Sequence, residues 1–119
     1  MIGTYLGYVS DGAHASDFLR VADGISGHII DISFRAVPYV SCDCIFVKKT
    51  LHGMVEGEVD GKEVFVELQM VEKPDTEATE YTLRIDCDCG EEIIEEVANV
   101  LAETLDIAGE DFTRVGVII

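Results

Sequence analysis

The chain has 119 residues, of which 48% are hydrophobic and 27% charged, the composition of one folded domain with a core of its own rather than of a disordered tail. Its 24 acids outweigh 8 bases, for a formal charge of −16. No window concentrates Lys or Arg, so a phosphate backbone would be repelled and nucleic acid is excluded as a partner. The first residues show neither a basic start nor an apolar stretch of secretory length, and no run reaches the ~20 apolar residues that span a bilayer. The expected protein is therefore cytoplasmic, with no membrane partner.

Taken in chain order, residues 2–9 read as a first strand, ending at the turn triplet Ser10-Asp11-Gly12. Ala15, Phe18, Leu19, Ala22 and Ile25 then recur at helical spacing, with His14, Asp17, Arg20 and Asp23 on the wet side and Gly24 as a stop. From His28 to Val37 the period changes to two, and Pro38 interrupts the run, as a proline interrupts a central strand. A separate strand is expected over 39–48, with Cys42, Cys44 and Phe46 on one face and Ile45 and Val47 on the other.

Asp60-Gly61 between two alternating segments predicts a two-residue hairpin, because both turn positions tolerate positive φ. Followed outward from Val59 opposite Lys62, the register sets Gly57 against Val64, Val55 against Val66, Gly53 against Leu68 and Leu51 against Met70. The apolar side chains then share one face. The other gathers Glu56, Glu58, Glu63 and Glu67 with Met54 and Phe65, and the facing pair Glu58 and Glu63 predicts that this side is open to water. Residues 72–80, centred on Pro74-Asp75, form the longest loop. Tyr81, Leu83, Ile85, Cys87 and Cys89 alternate with polar residues as a further strand. After Gly90, the stripe Ile93, Ile94, Val97, Ala98, Leu101 and Leu105 predicts the longest helix, and 112–119 reads as a last strand.

The fold class that follows is a single α+β domain over 1–119: a twisted, largely antiparallel sheet of six or seven strands with two helices on one face. A parallel edge is expected where the first strand and the late helix–strand pair join the sheet.

Function is less legible. The tripeptide Cys-Asp-Cys occurs twice, as Cys42-Asp43-Cys44 and Cys87-Asp88-Cys89, and holds all 4 cysteines. In a reducing compartment these read first as buried thiols that carry neither cofactor nor metal. The alternative is a redox pair, or a four-thiolate zinc or iron–sulfur site formed by Cys42, Cys44, Cys87 and Cys89, which requires the two tripeptides to converge at one sheet edge. His14 and Asp17 at i and i+3 lack further ligands. No nucleophile–base pair or phosphate loop is present, which points away from an enzyme. The expected function is a small acidic binding or assembly module that uses its open acidic sheet face or an edge, with a basic protein surface as partner.

Overall fold

The computed structural model describes residues 1–10, 12–41, 43–73, 78–107 and 109–118. Among them are six strands, β1 (Ile2–Val9), β2 (His28–Ser41), β3 (Cys44–Val59), β4 (Lys62–Lys73), β5 (Ala78–Cys87) and β6 (Thr113–Ile118). Two α-helices, α1 (Ser16–Gly24) and α2 (Glu91–Thr104), and a 3-10 turn at Gly109–Asp111 complete the elements. The sheet order is β2-β3-β4-β5-β1-β6. Every paired neighbour is antiparallel, so the α+β class stands and the parallel edge does not. The reason lies in the connections: β2 to β5 form a meander, and β1 enters beside β5 running against it.

The Asp60-Gly61 hairpin has the predicted register, from Val59 opposite Lys62 through to Leu51 opposite Met70. Asp60 (φ 53°) and Gly61 (φ 78°) both adopt the left-handed conformation of a type I′ turn. No atom lies within 4 Å of a Cβ built on Gly61, so a substitution there is opposed by backbone conformation alone. Gly61→Val is accordingly expected to lower stability by about 1 kcal/mol or more. A urea midpoint equal to that of the wild type would show the turn to be misassigned.

Odd-numbered residues of β3 and even-numbered residues of β4 face the helices. Val55, Val66, Leu68 and Met70 are fully buried there, beneath Phe18 and Val21 of α1 and Ile94, Val97 and Leu101 of α2. Gly53 permits the close approach, since a Cβ on it would lie 2.4 Å from the Phe18 ring. On α1 the predicted faces need two corrections. Leu19 is 60% exposed, whereas Asp17 has no exposed surface. Asp17 shares the buried stripe with Val21, one turn later, and its charge is met by partners that spacing does not reveal.

The largest departure concerns the second hairpin. Pro38 does not break a strand: β2 continues through it, opposite Val47, because β2 is an edge strand where half of the amides point away from the sheet. The reversal comes instead between Ser41 and Cys44, with Asp43 at φ 64°. Residues 44–59 consequently form one long strand rather than parts of two. Its first half pairs with β2 but extends past β4, whose pairing with β3 ends at Thr50 opposite Val71. The result is a two-stranded arm projecting from a molecule 52 Å in its longest dimension. On one side of the arm Ile45 is 75% and Val47 63% exposed, and on the other Cys44 is exposed. Asp11, Cys42 and the Pro74-Asp75 loop centre lie outside the described residues.

Candidate functional site

With both helices on one side of the sheet, the other side is open. It carries the even-numbered residues of β3 and the odd-numbered residues of β4. The register sets Phe65 between Glu56 on one neighbour and Asp86 on the other. Glu58 faces Glu63 one row further along, as predicted. Glu56, Glu63, Asp86 and Asp88 are exposed around the half-buried Phe65. Together with Val64 and Cys87 they line an open depression of about 460 Å³.

Asp88 reaches this depression because of its neighbours. Cys87 is buried on the helix side at the end of β5, and Cys89 packs against the same core. A disulfide joins the two, holding their Cα atoms 5.2 Å apart. The residue between them is left to the open side. The expectation of four reduced, largely buried thiols is thus corrected at three positions: Cys87 and Cys89 are bonded, and Cys44 is an exposed free thiol.

The two Cys-Asp-Cys segments do not share a sheet end, as far as the described residues show. Cys87 lies opposite Val64, which lies opposite Gly57, and Gly57 is about 13 positions along β3 from Cys44. At ~3.3 Å per residue that separation is roughly 40 Å. Cys42 lies outside the described residues. Among the described residues no group of three His, Cys, Asp or Glu side chains is placed to hold a metal ion.

His14 and Asp17 do come together, in a second cavity of about 260 Å³ that also receives Arg20, Tyr81 and Asp106. The Tyr81 hydroxyl donates a hydrogen bond of 2.8 Å to Asp17 Oδ2, and the Arg20 guanidinium pairs with Oδ1. Arg20 also donates to the carbonyl of Thr104 at 3.0 Å, tying α1 to the end of α2. The hydrogen bond to Asp17 holds the Arg20 guanidinium charged above its ordinary range. This carboxylate is already engaged by two partners, so its role is to anchor α1. Tyr81 arrives from a strand 64 residues away, and no sequence signal links it to Asp17.

Acids also crowd the outer face of α2, where Glu92, Glu95, Glu96 and Glu103 line an open surface with Asn99 and Val100. No aromatic ring stands among them, and Arg114 of β6 pairs with Glu91 and, at 2.8 Å, with Glu95.

No family model and no curated protein matches the sequence. Among solved structures, a dog lipocalin allergen is similar at 11% identity and a TM-score of 0.36, over 96% of this chain and 90% of that one. An odorant binding protein is similar at 8% identity and a TM-score of 0.36, over 95% of this chain and 86% of that one. At such values neither resemblance carries an argument about this chain. No helix among the described residues is long and apolar enough to cross a membrane.

Proposed function

We propose that the protein is a small acidic, non-enzymatic binding module that receives a basic side chain of a partner protein on the open face of its sheet. The observation that carries this reading is the depression in which Phe65 lies among Glu56, Glu63, Asp86 and Asp88. A guanidinium or ammonium group placed there meets carboxylates at the rim and an aromatic surface at the floor. Binding surfaces commonly take this form, an aromatic anchor ringed by polar groups. The charge of −16 adds long-range attraction for a basic partner, which speeds encounter. We place the protein in the cytoplasm.

Calorimetric titration with an oligo-arginine peptide tests the proposal. Affinity is expected to fall as salt rises from ~0.01 M to ~0.15 M, since screening then acts over ~8 Å. Phe65→Ala should weaken binding about two- to fivefold, the effect of losing one exposed cation–aromatic contact. Glu92→Gln on α2 should change affinity by less than Phe65→Ala. Equal affinities for the wild type and Phe65→Ala would remove the depression as the site.

A further inference from the structure

The outer edge of β2 presents a second surface that the acidic depression does not use. β2 runs 14 residues at the margin of the sheet, so its outward amide and carbonyl groups have no strand beside them among the described residues. Proteins usually protect such an edge with a bulge, a proline or a charge. Here a bulge lies between Ile29 and Asp31, and Pro38 stands further along, which leaves the charges Asp31 and Arg35 as the guards of the stretch between them, and a strand that opposes each with its opposite would satisfy both. Ile32 and Phe34 in this stretch are 41% and 58% exposed on the helix-facing side. Asp31, Ser33 and Arg35 are exposed on the opposite side, and neither Asp31 nor Arg35 enters a salt bridge among the described residues.

These five residues are complementary to themselves. Laid antiparallel against an identical strand with Ser33 opposite Ser33, the segment sets Asp31 against Arg35 twice and Ile32 against Phe34 twice. Side chains that face each other then lie on the same side of the joined sheet: the charges on the open side, the apolar residues on the helix side. We propose that a second copy of this chain pairs with the β2 edge in this register, continuing the sheet across a twofold axis. Both protomers present the same segment, as an isologous interface requires. A strand of a different protein would have to supply the same alternation of apolar residues and the same opposed charges. A second copy supplies them by symmetry.

The charges also give the pairing a salt response opposite to that of a basic partner. Two bodies of charge −16 repel at long range, and added salt screens that repulsion. Self-association should therefore tighten as salt rises.

Sedimentation velocity over a concentration series tests the proposal with the intact chain. The wild type should pass from monomer to dimer below about 1 mM, at lower concentration in higher salt. Arg35→Asp and Asp31→Arg each place like charges opposite one another at two positions, and each should raise the dimer dissociation constant about tenfold or more. The double variant D31R/R35D restores opposite charges and should return the constant to within about threefold of the wild type. Thermal melts followed by circular dichroism confirm that each variant is folded. A wild type that stays monomeric throughout, single variants that dimerise like the wild type, or a double variant no better than the singles would each overturn the pairing.

Discussion

Leu101→Ala is expected to destabilise the protein by about 2–5 kcal/mol. Leu101 is fully buried in the last turn of α2, where its side chain belongs to the core shared by both helices and the sheet. Removing its branched end leaves a void among close-packed neighbours, and the cost rises with how little they can collapse. Glu95→Ala on the same helix removes only an exposed pair with Arg114, worth less than about 1 kcal/mol. Urea melts of the two variants should differ by at least about 1 kcal/mol, the lower limit for Leu101→Ala less the most the exposed pair contributes. If Leu101→Ala and Glu95→Ala shifted the midpoint equally, α2 would not be anchored through this stripe.

Asp17→Ala is expected to cost about 2–3 kcal/mol, which is below the ~3–5 of a fully buried pair because the Arg20 side chain is 45% exposed. The loss has two parts. The Tyr81 hydroxyl loses its bond to a charged acceptor, and Arg20 loses the partner that holds it between α1 and the carbonyl of Thr104. Tyr81→Phe should cost less, about 1.5 kcal/mol, the low end for a hydrogen bond to a charged group, since Arg20 remains paired. The two substitutions combined should cost less than the sum of the singles, because they remove the same hydrogen bond. Strict additivity in a double-mutant cycle would show that Asp17 and Tyr81 do not interact in solution.

What could be read from the sequence depended on whether the deciding forces were local. The Asp60-Gly61 register follows from turn chemistry and a period of two, both written within twenty residues, and it is reproduced pair by pair. The same holds for β1 and for the buried stripe of α2. The faces of β3 and β4 followed from that register, and with them Glu56, Glu63 and Phe65 of the depression. Asp86 and Asp88 were not assigned to it, because they join through the pairing of β4 with β5, across a loop whose length hides the register.

Asp17 was misplaced because a charged residue at a helical position reads as solvated unless its partner is known, and Tyr81 is distant in sequence. Pro38 was misread because a proline forbids only a central strand, and nothing local says that β2 lies at the edge. That single error set a reversal at the end of the 39–48 segment, whereas the chain reverses between Ser41 and Cys44. It also hid the projecting arm.

The proposed function is tested most directly by the position at which a basic probe binds. Among the described residues the Phe65 depression and the outer face of α2 are both lined by exposed acids, and net charge alone does not distinguish them. Backbone amide chemical shifts recorded during titration with an oligo-arginine peptide at low salt would do so. The largest changes are predicted at Glu56, Glu63, Phe65, Asp86 and Asp88, with those of Glu92, Glu95, Glu96 and Glu103 smaller and non-saturating. Changes centred on α2, or spread evenly over both surfaces, would contradict the account and leave the acidity as a general property of the surface.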